Sequence, residues 1–196
     1  MKFLFDLGGV FFDWDPHHFY KHIFNNKEER ENFLNNICND EWNIQQDAGR
    51  LIKDAENDII KNYPDYEDKI KLYYKNHHRM FRKIFQNSVD VLNDLKSKKY
   101  ECYVLSNWSW ETFYGMDKKY LFLNNFDGLI ISGKEKLVKP DAAIYNLAIN
   151  RFNLIPEETL FIDDKEENIM AANKLGFLTI HLTDPEIIKQ EINRFI

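Results

Sequence analysis

Short apolar segments that recur along this chain, with helical patterns between them, constrain its fold most strongly. Their hydrophobicity is continuous rather than alternating, which is typical of strands buried on both faces of a sheet. Helical spacings separate the later segments, and this favours right-handed crossovers between parallel strands. We therefore predict an α/β fold with a doubly wound parallel sheet, whose strands include residues 3–5, 102–105, 129–131, 160–162 and 178–180.

The stretch from residue 16 to residue 86 differs from the rest of the chain. It has no β-branched run and repeats helix-like spacings, such as Phe19 with Ile23 and Ile70 with Tyr74. Residues four apart share one face of a helix, and Pro64 interrupts the pattern once. The sequence therefore predicts a helical insertion of residues 16–86 after the first strand, within a core of residues 1–15 and 87–196.

Composition limits the partners of this 196-residue chain. Its 26 Lys and Arg residues are interspersed with 32 Asp and Glu residues, which gives a net charge of -6. Nucleic acids and anionic membranes require a basic face, so we expect neither as a partner. No apolar segment approaches the roughly 18 residues of a membrane span, and the apolar start stops at Asp6. We expect a cytoplasmic protein.

Polar side chains follow three of the predicted strands at their carboxyl ends. Asp6, Ser106 and the pair Asp163-Asp164 come directly after their strands, and Lys139 precedes a predicted helix. Ligands of open parallel sheets bind beyond this edge, so these side chains could meet in one crevice. Taken singly, each also has a purely structural explanation as a helix cap, a turn residue or a solvated loop residue.

Four motifs, taken in order, resemble those of the haloacid dehalogenase superfamily of hydrolases. They are Phe5-Asp6-Leu7-Gly8-Gly9-Val10, Val104-Leu105-Ser106-Asn107, Lys139-Pro140-Asp141, and Phe161-Ile162-Asp163-Asp164 with Asn168 and Ala172. The helical insertion also stands where that family carries a cap over its active site. The resemblance spans nearly the whole chain and implies the family's core fold, with an active site beneath the cap.

On the phosphate side, the resemblance implies roles for four residues. Asp6 corresponds to the nucleophilic aspartate, which is also a catalytic magnesium ligand. Ser106 and the Asn107 amide correspond to the groups that bind the phosphate. Lys139 corresponds to the catalytic lysine that binds and neutralises the transferring group. The Asp-x-Gly-x-Val form of the first motif is similar to that of bacterial sugar-1-phosphatases.

On the metal side, the resemblance implies a Mg2+ site built from Asp6, the Gly8 carbonyl, Asp163 and Asp164. It favours Asp164 over Asp163 as the direct ligand. The physical account agrees, because a carboxylate beside a phosphate is repelled by about 4 kcal/mol per pair of charges at 4 Å. Mg2+ held by carboxylates would offset this repulsion, with Lys139 on the other side.

The first motif departs from most phosphatases of the family at Gly8, where they carry a second aspartate as general acid and base. Losing such a group typically costs about 10²- to 10⁴-fold in rate. The leaving group could need little protonation, as in anomeric, acyl or aryl phosphates; another acid such as Asp13 or Asp15 could substitute; or the chemistry could be lost. We predict the first, because the other motif residues are present: Asp6, Ser106, Lys139 and Asp164.

Three weaker signals each have two interpretations. Trp108 and Trp110 could line a sugar pocket or pack the cap against the core. Asp47 could face the active site, although we favour the N-cap of a helix beginning near residue 48. His18 and His22 could meet on one helix face as part of a zinc site, but a solvated face is the better explanation.

The sequence therefore predicts a Mg2+-dependent hydrolase of small phosphate monoesters. Its substrate would be a small phosphorylated metabolite, such as a hexose 1-phosphate, cleaved through an aspartyl-phosphate intermediate. One competing interpretation is a 2-haloacid dehalogenase, which normally needs no metal. The other is a catalytically impaired protein that binds phosphorylated ligands without turnover, because of Gly8.

Overall fold

Five parallel strands form the central sheet in the computed structural model, which describes residues 1–196. The strands of the chain are β1 (Lys2–Phe5), β2 (Phe12–Trp14), β3 (Phe81–Ile84), β4 (Glu101–Ser106), β5 (Gly128–Ile131), β6 (Thr159–Asp163) and β7 (Leu178–His181). The sheet order is β5-β4-β1-β6-β7. All five apolar segments predicted as strands are confirmed, and β1 lies at the centre of the sheet.

The α-helices are short to medium in length, and none has the length and hydrophobicity needed to cross a lipid bilayer. They are α1 (Pro16–Tyr20), α2 (Lys27–Asn32), α3 (Asp40–Asp47), α4 (Ile52–Asn62), α5 (Glu67–Lys75), α6 (Gln86–Ser97), α7 (Trp110–Phe113), α8 (Met116–Lys119), α9 (Ser132–Glu135), α10 (Ala142–Phe152), α11 (Glu166–Lys174) and α12 (Ile188–Ile192). A π-helical turn, Phe33–Ile37, continues α2.

Both faces of the sheet are covered, as the continuous apolar strands predicted. Phe3 and Phe5 of β1 belong to a buried cluster that includes Leu92 of α6 and Ile188 of α12. Leu4, between them, belongs to the opposite cluster with residues of α10 and α11. Successive side chains of a strand point to opposite faces. The doubly wound α/β fold is therefore confirmed.

The helical insertion has its own hydrophobic cluster and its own connection to the sheet. Helices α1–α5 lie between β2 and β3, which pair antiparallel with Phe12 opposite Ile84 and Trp14 opposite Phe81. Phe33, Trp42 and other buried aromatics pack together inside the insertion. The chain thus enters and leaves the insertion through one two-stranded ribbon. The exact limits at residues 15 and 86 stay predictions.

Candidate active site

The carboxyl ends of three neighbouring strands bring the predicted polar side chains together. Asp6 directly follows β1, Ser106 ends β4 and Asp163 ends β6, and β1 lies between the other two strands. The Asp6 amide donates to the Ile162 carbonyl at 2.9 Å, so the ladder continues one residue past β1. All three side chains are buried. The convergence predicted from the strand ends is found.

Lys139 reaches this edge from the loop before α10. Its Nζ lies 3.0 Å from Asp6 Oδ1 and 2.6 Å from Asp163 Oδ2. Asn107 fixes the backbone of the lysine, because its Oδ1 accepts from the Lys139 amide and its Nδ2 donates to the Lys139 carbonyl, each at 2.9 Å. The sequence predicted the Asn107 amide but not this use of its side chain.

Asp163 is fully engaged by the protein. Besides Lys139, it accepts from Asn168 Nδ2 at 3.0 and 3.1 Å and from the Lys165 amide at 2.8 Å. Asn168 is itself buried, so it holds the Asp163 side chain in place. Both oxygens of Asp163 are therefore occupied by donors.

Asp164 has the opposite environment. Its carboxyl group accepts no hydrogen bond from the protein, and only burial and neighbouring charges shift its pKa. A Cβ at Gly9 would lie 2.3 Å from Asp164 Cγ, and Gly9 has φ +65°. Glycine at position 9 therefore makes room for the Asp164 carboxyl group, a requirement that the motif alone did not predict.

The three carboxyl groups could hold a metal ion. Oxygens from Asp6, Asp163 and Asp164 lie within 4.8 Å of one another. Asp6 Oδ1 is buried without a properly oriented hydrogen bond. A cluster of three carboxyl groups, of which that of Asp164 accepts no hydrogen bond from the protein, fits a hard cation such as Mg2+.

The electrostatics of the site reflect this excess of negative charge. Burial raises the pKa of Asp6, and Asp163 adds to this while Lys139 opposes it. Burial, and then repulsion from Asp6 and Asp163, raises the pKa of Asp164 to about 7. Burial alone would lower the pKa of Lys139, but Asp163 and Asp6 raise it above its ordinary value, so the side chain stays a cation.

Two backbone amides beside these side chains have no acceptor within the protein. The N–H groups of Gly8 and Asn107 donate to no backbone oxygen, and both residues line the cleft above Asp6. Unpaired amides at the edge of a sheet form sites for anions. The family resemblance predicted a role for the Asn107 amide but not for the Gly8 amide.

The cleft itself lies between the sheet edge and the helical insertion and has a volume of about 760 Å3. Its charged lining is mostly acidic, and burial lowers the pKa of His77 to about 3, which leaves that imidazole neutral. From the side of the ribbon and the insertion the lining includes Asp13, Trp14, Asp15, His17, Leu34, Asp40, Glu41, Asn43, Ile44, Asp47, His77 and Phe81.

The helix-cap interpretation of Asp47 is wrong. Asp47 is the last residue of α3, and the next helix, α4, begins at Ile52 with Leu51 as its N-cap. The carboxyl group is buried and lines the cleft. Gly49, two residues later, was a sequence signal for the end of a helix rather than a start, and its φ is +91°.

The other weak signals separate in the structure. Trp108 lines the cleft and also stacks on Phe81 with ring centroids 5.3 Å apart, so its packing role is found, and its role toward a sugar stays a prediction. Trp110 packs against Phe113 away from the cleft lining. His18 Nε2 lies 3.1 Å from Asp13 Oδ1, and His22 is exposed, so they form no zinc site together.

Comparisons with known proteins extend over nearly the whole chain. The profile of the family described as haloacid dehalogenase-like hydrolase matches residues 4–182. A sesquiterpene phosphatase of Aspergillus oryzae is 26% identical over 199 residues, 98% of this chain and 95% of that protein. A D-ribitol-5-phosphate phosphatase of Bacteroides thetaiotaomicron is 30% identical over 118 residues, 57% of each protein.

One similar solved structure is a haloacid dehalogenase family enzyme from Bacteroides thetaiotaomicron in complex with magnesium and inorganic phosphate. It is 26% identical, has a TM-score of 0.68, and the match covers 91% of this chain and 92% of that one. The similarity therefore includes both the sheet and the insertion above it.

Proposed function

This chain belongs to the haloacid dehalogenase-like hydrolases, and on that premise we propose that it hydrolyses small phosphate monoesters with Mg2+ as its cofactor. The single observation that carries the proposal is the placement of Lys139 against Asp6, at 3.0 Å, at the floor of a cleft lined by unpaired amides. This arrangement supplies a nucleophile, a cation and anion-binding donors at one point.

Asp6 is the nucleophile of the proposed reaction. Its carboxylate attacks the phosphorus in line with the leaving oxygen, and an aspartyl-phosphate forms that water then hydrolyses. Ser106 and the amides of Gly8 and Asn107 bind the phosphoryl oxygens. Lys139 neutralises charge on the transferring group, as its fixed position between two carboxylates supports.

Asp6, Asp164 and the Gly8 carbonyl would hold Mg2+. When bound, the ion supplies positive charge that offsets the repulsion between the carboxylates and the phosphate. The free carboxyl group of Asp164 supports its assignment as the direct ligand. Asp163, whose oxygens are occupied, would act by holding Lys139 rather than by direct ligation.

A sugar phosphate such as a hexose 1-phosphate is the proposed substrate. Beyond the phosphate site the charged lining of the cleft is mostly acidic, which favours an uncharged, hydroxyl-bearing group over a second phosphate. The aromatic faces of Trp14 and Trp108 in the same lining suit a sugar ring. An anomeric leaving group also needs little protonation, which agrees with the absence of a general acid at Gly8.

Phosphate release from a substrate panel tests the proposal. The panel contains a hexose 1-phosphate, a hexose 6-phosphate, a pentitol 5-phosphate, a prenyl phosphate and para-nitrophenyl phosphate, each with Mg2+ and with EDTA. We expect Mg2+-dependent release that is lost in Asp6→Asn. Absence of release from every member would contradict it, and halide release from 2-chloropropionate in EDTA would favour the dehalogenase.

A further inference from the structure

Asp47 carries a buried carboxyl group in the cleft that the mechanism above leaves unused. It ends α3 on the wall that the insertion contributes, whereas Asp6 lies on the floor that the sheet contributes. Asp47 as a whole residue is only 8% exposed. Its carboxyl group nevertheless forms no salt bridge, in contrast to Asp6 and Asp163, which both pair with Lys139. Burying a carboxyl group without an ion pair costs folding free energy, so a functional role would explain its presence.

A chain of hydrogen bonds holds Asp47 in place. Gln46 Nε2 donates to Tyr74 Oη at 3.2 Å, and Tyr74 Oη donates to Asn43 Oδ1 at 2.8 Å. Asn43 Nδ2 then donates to Asp47 Oδ2 at 3.2 Å. In this series of hydrogen bonds, every nitrogen donates and every amide or carboxylate oxygen accepts. Oδ2 is therefore anchored, and Oδ1 has no side-chain donor.

The end of α3 is also docked on the sheet domain. Gly49 has φ +91°, and a Cβ there would lie 2.9 Å from Lys136 Cγ and 3.0 Å from the Gly133 carbonyl oxygen. Such spacing leaves no room for a larger residue. Gly49 is two residues after Asp47, so this contact holds the end of α3, and with it Asp47, against the sheet domain.

The two substitutes that the sequence suggested for the acid missing at Gly8 are already engaged. Asp13 accepts from Arg82 Nε at 2.6 Å and from His18 Nε2 at 3.1 Å. Asp15 caps α1 through the His17 amide and also bonds His17 Nδ1. Asp40 and Glu41 also lack side-chain donors, and Asp15 Oδ2 is free, but these residues are partly or fully exposed. Asp47 is the buried carboxyl group on the upper wall, and its Oδ1 has no side-chain donor.

We propose that Asp47 accepts the proton of the water that hydrolyses the aspartyl-phosphate. This inference rests on the function proposed above. In that step the water oxygen bonds to phosphorus, its proton passes to Asp47, and the bond from phosphorus to the Asp6 oxygen breaks. Inorganic phosphate and the Asp6 carboxylate result. Asp47 then gives the proton to the leaving oxygen of the next substrate or, when that oxygen leaves as an anion, to water, so protons balance over the cycle.

This role is needed whatever the leaving group is. An activated leaving group removes the need for an acid in the first step, but the second step is the same for every substrate. In-line displacement places the attacking water opposite Asp6, on the side of the insertion. Asp47 is the buried carboxyl group held on that side.

Its charge environment suits proton transfer near neutral pH. Burial raises the pKa of Asp47 to about 7, and Asp6 and Asp40 add to this, while the Ser109 amide and Lys165 oppose it. Tyr73 and Tyr74 face it from α5. A base works best when its pKa lies near the working pH.

Pre-steady-state kinetics with para-nitrophenyl phosphate and Mg2+ tests the inference. Three proteins are compared: wild type, Asp47→Asn, which keeps an acceptor for Asn43, and Asp54→Asn, which removes an exposed carboxylate from α4 outside the cleft. We expect the first release of nitrophenol from Asp47→Asn to stay within about tenfold of wild type. Its steady-state rate should fall about 10²- to 10⁴-fold. Phosphorylated protein should accumulate stoichiometrically in intact mass spectra.

Asp54→Asn should behave as wild type. Asp47→Asn without accumulated phosphoprotein, whether its rate is unchanged or both steps slow together, overturns the inference. If wild type itself releases no phosphate, the proposed function fails instead. The two failures are thereby distinguished.

Discussion

Lys139 Nζ lies 2.6 Å from Asp163 Oδ2, and both side chains are almost completely buried. Removing one partner of a buried ion pair leaves an uncompensated charge. We expect Asp163→Asn to lower the free energy of unfolding by about 3 kcal/mol, or roughly 6–12 °C in Tm for a chain of this size. Thermal unfolding without Mg2+ measures this. A variant as stable as wild type would contradict the anchoring role of Asp163.

Whereas replacing Asp163 lowers the free energy of unfolding, replacing Asp164 should raise it. Burial and its carboxylate neighbours raise its pKa to about 7, so its ionised form is costly above that pH. We expect Asp164→Asn to stabilise the metal-free protein at pH 8 by roughly 2 kcal/mol, an amount discounted for partial exposure. The same unfolding series measures it. Destabilisation by this change would show that Asp164 is a structural residue.

Mg2+ should also change the thermal stability of the Asp163 and Asp164 variants differently. An ion that binds only the folded state stabilises it by about 2.7 kcal/mol at a hundred times Kd. We expect Mg2+ to raise the Tm of wild type and of Asp163→Asn, and to leave that of Asp164→Asn unchanged. A full Mg2+ shift in Asp164→Asn would contradict its assignment as a ligand.

Stability should also depend on pH through Asp47. Its folded pKa is raised from 3.8 to about 7, so the folded state binds the proton more tightly than the unfolded state. The free energy of unfolding therefore falls as pH rises through this range. We expect the stability of Asp47→Asn relative to wild type to rise by roughly 2–3 kcal/mol between pH 5 and pH 8. Denaturant unfolding of both proteins, with Asp54→Asn as control, measures the difference; a constant difference would contradict it.

Adjacent glycines provide a matched pair of substitutions in the first motif. A Cβ at Gly9 would lie 2.3 Å from Asp164 Cγ at positive φ, whereas the nearest atom to a Cβ at Gly8 is Asp6 Oδ2 at 3.9 Å. Gly9→Ala should therefore displace Asp164 and lower Mg2+ affinity at least tenfold, while Gly8→Ala should bind Mg2+ nearly as wild type. Calorimetric titration with Mg2+ compares them, and equal affinities would refute the packing argument.

The space at Gly8 also permits a rescue. Gly8→Asp would restore the aspartate that most family phosphatases carry, and its Cβ fits. In the Asp47→Asn background we expect it to raise steady-state phosphate release at least tenfold, and in wild type to change it little. Rates of the four proteins form a double-mutant cycle. Additive effects would mean that the two carboxylates do different work.

The sheet and its polar edge could be predicted because burial on both faces leaves a clear pattern. Asp6, Ser106 and Asp163 follow continuous apolar strands, and parallel strands place their carboxyl ends together. The ribbon could not be predicted in the same way. Its strands are three and four residues long, and Arg82 and Lys83 make β3 look like a solvated segment.

The site residues that sequence reasoning misassigned depend on contacts between distant segments. Asp47 reaches the cleft because Gly49 docks on Gly133, a contact that spacing alone does not reveal. Only the family resemblance favoured Asp164 over Asp163, because the physical difference lies in which oxygens Lys139 and Asn168 occupy. The cytoplasmic location stays a prediction.

Acid quenching during turnover tests the central claim most directly. Wild type is mixed with para-nitrophenyl phosphate and Mg2+, quenched in acid, digested and mapped by mass spectrometry, with Asp6→Asn as control. We predict a phosphoryl group on Asp6 that is absent without Mg2+ and absent from the variant. Phosphate release with no covalent phosphoprotein, or undiminished release by Asp6→Asn, would contradict the account.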